Sequence, residues 1–327
     1  MENEQFQYQN RIDLTALKNV AEQIRNEIKK VIVGQDTSID LILTGLLSDG
    51  HILIEGVPGV AKTITAKLIA KCISAPFSRI QFTPDLMPSD VLGTSVFNEK
   101  LSEFEFKKGP VFSSIVLIDE INRAPAKTQA ALFELMAERQ ITIDGNVFSF
   151  ERPFIILATQ NPVEQEGTYR LPEAQLDRFL FKIDIKYPVL EEEIDIIKKH
   201  NDFQSEDPLR FIQPVVSAQE IMQLQNLVKS VHVENSLFEY IAKIVVSTRT
   251  NANLFLGASP RASIAVLNAA KSYAALQGKD FVTPEDIKYI TPFVLHHRII
   301  LTPEREMEGL TPMHIIKQII DGIEIPR

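Results

Sequence analysis

The eight residues from Gly56 to Thr63, GVPGVAKT, have the types and the spacing of a phosphate-binding loop. That pattern is glycine, four residues, glycine, lysine and a serine or threonine, and the segment departs from it only where Ala61 stands for the second glycine. Glycines let backbone N–H groups turn toward a phosphate, while Lys62 would reach the β- and γ-phosphates and the Thr63 hydroxyl would bind Mg²⁺. The methyl group of Ala61 fits if its backbone is helical. The alternative is an ordinary turn with an incidental lysine.

Two adjacent carboxylates end the apolar run Ile115–Glu120, IVLIDE. Because an Asp and a Glu are costly to bury in the middle of a sheet, we expect Asp119 and Glu120 at the carboxyl end of a strand, where open α/β sheets bind ligands. There Asp119 would hold Mg²⁺ and Glu120 would polarise the attacking water. The alternative is a solvated strand end followed by a turn.

A third polar strand end follows in Ala158–Pro162, ATQNP. The Asn161 amide would hydrogen-bond a water molecule or the γ-phosphate, although Asn-Pro also commonly marks a turn. The order of the phosphate loop, the acidic pair and this asparagine favours the functional interpretation of all three. The chemistry they indicate together is Mg²⁺-dependent hydrolysis of a nucleoside triphosphate.

Short, almost continuously apolar runs must position these groups, and such runs are typical of strands buried on both faces of a parallel sheet. The predicted strands are His51–Gly56, Ser78–Thr83, Ser113–Glu120, Pro153–Gln160 and Arg178–Ile185. Helical patterns such as Lys62–Ile73 and Ala126–Arg139 lie between them. This alternation predicts an α/β fold with a five-stranded parallel sheet.

Two insertions interrupt the alternation of strands and helices. Pro84–Pro110 contains the strand-like pair TSVFN and EFEFKKG, and Ile141–Phe150 carries Asp144-Gly145 between two β-prone runs. An Asp-Gly pair in that setting predicts a tight hairpin, because glycine tolerates a positive φ.

The pattern becomes helical after Tyr187-Pro188. The predicted helices are Leu190–His200, Ala218–Val228, Leu237–Thr248, Pro260–Gln277 and Pro284–Phe293. We therefore predict two domains, an α/β core over residues 1–187 and an all-α domain over residues 188–327, with the nucleotide between them.

Five longer stretches resemble the MoxR family of AAA+ ATPases, and the resemblance extends from about Ile24 to about Thr302. The stretches are FTPDLMPSDVLG (Phe82–Gly93), GPVF (Gly109–Phe112), DEINRAPAKTQAALFELMAERQITIDG (Asp119–Gly145), ATQNPVEQEGTYRLPEAQLDRF (Ala158–Phe179) and GASPRA (Gly257–Ala262). The resemblance implies an AAA+ core with a helical lid domain, and ATP with Mg²⁺ as its cofactors. Alanine at position 61 is familiar in this family.

The resemblance also assigns residues to the nucleotide. The phosphate loop would comprise Gly56, Val57, Pro58, Gly59, Val60, Ala61, Lys62, Thr63 and Ile64. The segment Val33, Gly34 and Gln35 is similar to the adenine-side segment of AAA+ proteins, its alternative being an ordinary loop. Thr63 and Asp119 would hold the metal, while Glu120 and Asn161 would act on the attacking water.

Three arginines acquire roles from the same resemblance. Arg178 matches the arginine finger that a neighbouring subunit supplies, its alternative being a salt bridge to Asp177 or Glu173 of the same chain. Arg261 matches sensor 2, which contacts the γ-phosphate of its own chain or of the neighbour. Arg123 is a candidate link between the active site and a neighbour, or else a surface residue.

The implied function is an ATP-driven, chaperone-like motor that forms a hexameric ring. Its partners would be client proteins or proteins with a von Willebrand factor A domain, in metal insertion or complex maturation, and the two insertions would face the pore or the partner. Two other functions remain open. One is a nucleotide-gated switch that hardly hydrolyses ATP, and the other is a DNA-remodelling ATPase.

Charge and cysteine content restrict the remaining function classes. Among 327 residues, 34 are basic and 43 acidic, and the resulting net charge of −9 disfavours bulk binding to nucleic acid or to an anionic membrane surface. A single cysteine, Cys72, fits a reducing compartment. The N-terminal segment lacks the features of a secretory signal, and no apolar run is long enough to insert into a membrane. We therefore expect a cytoplasmic protein.

Overall fold

A computed structural model describes residues 12–162, 168–169, 171–202 and 206–326 of the chain. The N-terminal segment whose character was considered above, and part of the family motif Ala158–Phe179, lie outside the described residues. The strands are β1 (Ile52–Gly56), β2 (Phe77–Gln81), β3 (Gly93–Asn98), β4 (Glu103–Lys108), β5 (Ile115–Asp119), β6 (Gln140–Ile143), β7 (Asn146–Ser149), β8 (Ile155–Gln160), β9 (Phe181–Ile185), β10 (Leu254–Leu256) and β11 (Ile300–Leu301). The helices are α1 (Thr15–Lys29), α2 (Asp36–Leu47), α3 (Lys62–Ile73), α4 (Pro88–Leu92), α5 (Ala126–Glu138), α6 (Glu173–Leu176), α7 (Leu190–Asp202), α8 (Ala218–Lys229), α9 (Asn235–Thr250), α10 (Pro260–Leu276), α11 (Pro284–Leu295), α12 (Pro303–Met307) and α13 (Pro312–Asp321).

Five parallel strands form the central sheet in the order β2-β5-β8-β1-β9. All five predicted strands are present, each shorter than or shifted slightly from its predicted span. The parallel arrangement brings the carboxyl ends of β1, β5 and β8 to one edge. The phosphate loop, the acidic pair and Asn161 therefore converge there, as the sequence predicts.

Alternating side chains of the strands face two hydrophobic cores. Ile52 and Ile54 belong to one core and Leu53 to the other, and all three are fully buried. Burial on both faces explains why these strands are apolar without interruption.

The two insertions form antiparallel hairpins, β3 with β4 and β6 with β7. Asp144 and Gly145 both have positive φ, 50° and 79°, which is the geometry of a tight two-residue turn. The Ser95 hydroxyl donates a hydrogen bond to the Asp144 carboxylate and so joins one hairpin to the other.

The C-terminal part is helical from α7 to α13, with one addition that the sequence analysis did not predict. The short strands β10 and β11 pair in an antiparallel ribbon within it. Strands of three and two residues are too short to show the period-two alternation that reveals a strand.

This helical part packs on the N-terminal helices rather than standing apart from the core. A single core contains Leu17 of α1, Ile42 of α2, Ile183 of β9 and Val266 of α10. The buried Gln225 amide also donates to the Leu46 carbonyl at 2.7 Å, which fixes α8 against α2. In the described residues no helix has the length and apolar character of a membrane span.

Candidate active site

The phosphate loop lies between β1 and α3, and its backbone turns at Ala61. Ala61 has φ 62° and ψ 18°, which is the left-handed region. The condition that the sequence analysis placed on this residue, a helical φ, is therefore wrong. The left-handed conformation is the reason the pattern prefers glycine here, and a Cβ in it costs about 1–2 kcal/mol.

The two glycines of the loop are required for different reasons. A Cβ on Gly56 would lie 2.9 Å from the Ile185 carbonyl oxygen, so close packing against β9 excludes a side chain. Gly59 has φ 88° and would have open space around a Cβ, so its requirement is conformational. Buried Val60 and half-buried Val57 and Ile64 pack against the core and fix the loop, whereas Pro58 is exposed.

Lys62 lies between the ends of two strands. Its ammonium donates to the Gly56 carbonyl, and to the Gln160 carbonyl at 3.3 Å. Asn161, directly after Gln160, is only 5% exposed. The lysine and the asparagine are thus brought together at the edge of the sheet where β1 and β8 end.

Asp119 is the most heavily contacted carboxylate of the site. The Thr63 hydroxyl donates to its Oδ1 at 3.1 Å, and the Thr159 hydroxyl donates to the same oxygen at 3.2 Å. Arg79 donates through Nε to Oδ2 at 2.6 Å. A buried carboxylate beside a hydroxyl is the hard-oxygen donor set that Mg²⁺ prefers, so these residues fit that ion.

Glu120 follows at the strand end with a left-handed backbone, φ 58°. Its N–H donates to the Thr159 hydroxyl at 3.0 Å, which ties it to β8. Its Oε2 accepts a hydrogen bond from Gln81 at 2.8 Å and pairs with Arg123, whose Nε is 3.3 Å away. Arg123 therefore contacts the acidic pair while its side chain stays 36% exposed.

Arg79, Gln81 and Thr159 were missed by the sequence analysis. Arg79 and Gln81 stand two residues apart on β2 with buried Ile80 between them, so both point to the same face of the sheet. That alternation in the run SRIQFT was the available signal. Their partners on β5 depend on strand order, which the run does not encode.

The segment Val33–Gln35 reaches the phosphate loop from the start of α2. The Gln35 amide donates to the Val60 carbonyl at 3.4 Å, and both Gly34 and Gln35 have positive φ. A Cβ on Gly34 would lie 2.2 Å from a carboxylate oxygen of Glu192, so α7 covers this segment closely.

Arg178 and Arg261 lie at the opposite edge of the sheet. They line one cleft of about 240 Å³ with His51 and Leu180, which precede β1 and β9. The phosphate loop follows the other end of β1, and a five-residue strand spans roughly 16 Å. The fold therefore does not bring either arginine to the phosphate loop of its own chain.

The cleft contains two further arginines, and each forms an ion pair with an aspartate. Arg139 donates to Asp49 at 2.9 Å, and Arg298 donates to Asp177 at 2.9 Å. Arg178 instead donates to the Phe133 carbonyl. The suggested salt bridge between Arg178 and Asp177 is thus not formed, because Asp177 is held by Arg298.

Three buried histidines pack around the central sheet, and among the described residues none belongs to a cluster that could hold a metal ion. His51 accepts a hydrogen bond from the Ile156 N–H at 3.0 Å, and burial lowers its pKa to about 3. His297 contacts the Phe179 carbonyl at 3.1 Å, and burial lowers its pKa well below the usual value. Burial likewise lowers the pKa of His296 to about 4. All three are neutral at pH 7 and act as hydrogen-bonding core residues.

Comparisons with known proteins agree with this geometry. Residues 51–181 match the model of the ATPase family associated with various cellular activities (AAA), and residues 246–319 match the AAA lid domain. The uncharacterized protein YeaC of Bacillus subtilis is 47% identical over 91% of this chain and 92% of its own. Chaperone MoxR1 of Mycobacterium tuberculosis is 41% identical over 96% of this chain and 84% of its own. The crystal structure of a provisionally assigned ATPase from Cytophaga hutchinsonii superposes with a TM-score of 0.88 at 42% identity, covering 96% of this chain and 97% of that one.

Strands β1, β2, β5 and β8 of the parallel sheet lie within the first match, and the second match follows it along the chain. Together they define the class of protein as a nucleotide-binding AAA ATPase with its lid domain. With MoxR1 41% identical over nearly the whole chain, this protein belongs to the MoxR family, and its activity is ATP hydrolysis.

Proposed function

We propose that this ATPase is completed between neighbouring subunits of a ring and uses ATP hydrolysis for mechanical work on partner proteins. The observation that supports this most strongly is the distance between its two sets of candidate residues. Lys62 and Glu120 lie at the carboxyl edge of the sheet, whereas Arg178 and Arg261 share a cleft at the other edge. In a ring where the arginine cleft of one subunit faces the carboxyl edge of the next, both sets of residues reach the same nucleotide.

At the carboxyl edge, the loop from Gly56 to Ile64 binds the phosphates through its backbone N–H groups and the Lys62 ammonium. Lys62 exchanges its present carbonyl partners for phosphate oxygens. Thr63 and Asp119 would hold Mg²⁺, which supplies charge neutralisation on the β- and γ-phosphates when bound. The segment Val33–Gln35 contacts the adenosine side of the nucleotide.

Glu120 acts as the general base toward the attacking water in this proposal, and Asn161 orients that water. Gln81 and Arg123 hold the Glu120 carboxylate in place. Because Arg123 is also partly exposed, it links the position of Glu120 to whatever docks beside it.

Arg178 and Arg261 act on the nucleotide of the neighbouring subunit. A guanidinium is always charged and presents a fork of donors to phosphate oxygens, so it stabilises charge that develops during phosphoryl transfer. Arg178 must leave the Phe133 carbonyl to do so. Arg261 is already exposed on the first turn of α10. We therefore assign Arg261 to the neighbouring nucleotide rather than to its own.

Six-fold assembly, client proteins and von Willebrand factor A-domain partners belong to the proposal through the family resemblance. So do a role in metal insertion or complex maturation, a cytoplasmic location, and the division into domains 1–187 and 188–327. The hairpins support a partner-facing role, since the cross-strand pair Phe97 and Phe104 on β3 and β4 is 50% and 75% exposed.

The experiment that tests the shared site mixes two inactive variants. Glu120→Gln lacks the base but keeps both arginines, whereas Arg178→Ala keeps the base but lacks one arginine. If the site is shared, co-expressed mixtures regain ATPase activity, because an Arg178→Ala site then receives the arginine of a Glu120→Gln neighbour. Lys62→Ala is the blank. A mixture no more active than the sum of its components would contradict the proposal.

A nucleotide-gated switch remains the second candidate, because the Glu120 carboxylate is held by Gln81 and Arg123 in this structure. Turnover should then stay at the level of the Lys62→Ala blank at every protein concentration, whereas a shared site predicts a specific activity that rises with concentration.

A further inference from the structure

Arg298 lies three residues after the end of α11 and is almost completely buried, with 3% of its side chain exposed. Its guanidinium donates to the Asp177 carboxylate at 2.9 Å. It also donates to the carbonyls of Asp177 at 3.3 Å, Phe179 at 2.5 Å and Leu180 at 3.2 Å, and to that of Val294. Four of these five contacts are made to the segment 177–180, which contains Arg178.

A second contact connects the same aspartate to the helix of Arg261. The Ser259 hydroxyl donates to Asp177 Oδ2 at 2.9 Å, while Arg298 occupies Oδ1. Ser259 is the N-cap residue of α10, and Arg261 lies in the first turn of that helix. Serine at an N-cap ordinarily accepts a hydrogen bond from its own helix, but the Ser259 side chain makes none. Its hydroxyl serves the contact with Asp177 instead.

This arrangement is poorly explained by stability alone. A buried ion pair is often no more stabilising than well-packed apolar residues of similar volume, because both charges lose their hydration. A fully hydrogen-bonded ion pair does, however, fix geometry, because its directional hydrogen bonds hold each bonded group in one position. Here every contact except the one to Val294 fixes the backbone on either side of Arg178, or the beginning of the helix that carries Arg261.

We propose that Asp177, Ser259 and Arg298 are positioning residues that hold Arg178 and Arg261 at a fixed spacing, so that both reach one nucleotide of the neighbouring subunit. The inference rests on the proposed shared site. It adds that the two arginines act as one unit, and that the lid and the core are locked together at Asp177.

The test introduces Ser259→Ala either into the chain that donates the arginines to the shared site or into the chain that supplies Glu120 to it. In the donor arrangement, a chain with Glu120→Gln and Ser259→Ala is co-expressed with Arg178→Ala. In the acceptor arrangement, Ser259→Ala is combined with Arg178→Ala and the partner is Glu120→Gln. We expect about a tenfold loss of the regained kcat in the donor arrangement, since misplacing a group by about 1 Å costs up to 10²-fold. The acceptor arrangement should keep full activity.

Ser217→Ala is the matched control, because Ser217 is also an N-cap serine of the lid but does cap its own helix, accepting from the Glu220 N–H at 3.2 Å. Ser217→Ala should lower Tm without lowering the regained kcat in the donor arrangement. Arg298→Lys keeps the charge but cannot reach all five oxygen acceptors of the guanidinium, so it should reproduce the loss seen when Ser259→Ala is in the arginine-donating chain.

Equal losses in both arrangements would indicate a general structural role and overturn the inference, as would no loss in either. If Glu120→Gln and Arg178→Ala fail to complement each other without any change at Ser259, the shared site itself is wrong. The two failures are therefore distinguishable.

Discussion

Arg79 and Asp119 form an ion pair in which Nε of the arginine lies 2.6 Å from Oδ2 of the aspartate. The two residues stand on the adjacent strands β2 and β5. Asp119 is buried, whereas the Arg79 side chain is 47% exposed. The cationic partner thus neutralises the carboxylate that we assign to Mg²⁺, and it approaches from the solvent side.

Replacing Arg79 with alanine should tighten Mg²⁺ binding, because the carboxylate loses a competing positive charge. Half-exposed ion pairs contribute about 0.2–1 kcal/mol, so we expect the half-saturating Mg²⁺ concentration to fall by a factor of about 1.4 to 5. Titration of Mg²⁺ against binding of a fluorescent ATP analogue measures this. Arg305→Ala removes an arginine of comparable exposure that pairs with Glu308 at the end of α12, away from both sets of site residues, and should leave the Mg²⁺ midpoint unchanged. An unchanged or higher half-saturating Mg²⁺ concentration in the Arg79→Ala variant would contradict the proposed competition between Arg79 and Mg²⁺ for Asp119.

Ala61→Gly should stabilise the nucleotide-free protein. Glycine adopts φ 62° without the steric cost of a Cβ, which is about 1–2 kcal/mol, although it raises the entropy of the unfolded chain by about 0.4–1 kcal/mol. A net gain of about 0.5–1 kcal/mol in the free energy of unfolding is expected. Ala66→Gly, in the middle of α3, is the opposite case and should destabilise by about 1 kcal/mol. Equal effects of the two substitutions in urea denaturation would refute the strain at position 61.

The buried histidines should make stability fall in mild acid. The pKa of His51 is lowered to about 3 and that of His296 to about 4, whereas an unfolded histidine titrates near 6.5. Below pH 6.5 the unfolded chain therefore binds more protons than the native protein, and stability present above that pH is lost as the pH falls toward 4. Each such histidine contributes up to about 1.4 kcal/mol per pH unit.

His51→Gln should reduce the slope of stability against pH between 6.5 and 4, measured by urea denaturation at a series of pH values. His200→Gln changes an exposed histidine on α7 and serves as its control. An unaltered slope in the His51 variant would show that this histidine is charged or solvated in the native protein.

Glu120→Gln should retain ATP but not turn it over, because the amide preserves size and hydrogen bonding while it cannot take a proton. A loss in kcat of about 10²-fold or more is expected, with ATP affinity kept. Single-turnover hydrolysis and equilibrium binding separate the two effects. Glu105→Gln, on the exposed hairpin strand β4, is the matched control. Undiminished turnover in the Glu120 variant would remove this residue as the base.

The edge of the sheet where the candidate site residues meet could be predicted from the sequence, because it depends on local signals. An apolar run that ends in Asp119 and Glu120 can bury its middle only within a sheet, and its charges then lie at the strand end. The phosphate loop is defined by eight consecutive residues between a strand and a helix. Parallel strands place such ends at a common edge, so the meeting of Lys62, Asp119 and Asn161 followed from the alternation of strands and helices.

Relations between distant residues were decided only by the tertiary structure. Arg79 and Gln81 reach the acidic pair because β2 lies beside β5, an order that no single run of residues encodes. The backbone of Ala61 is left-handed because the loop must turn there, against the preference of its side chain. Arg178 and Arg261, 83 positions apart, share a cleft because Asp177 joins Arg298 and Ser259 through hydrogen bonds. Residue types and spacing determine which groups can do chemistry, whereas strand order and buried hydrogen bonds determine which of them meet, since both depend on packing between segments far apart along the chain.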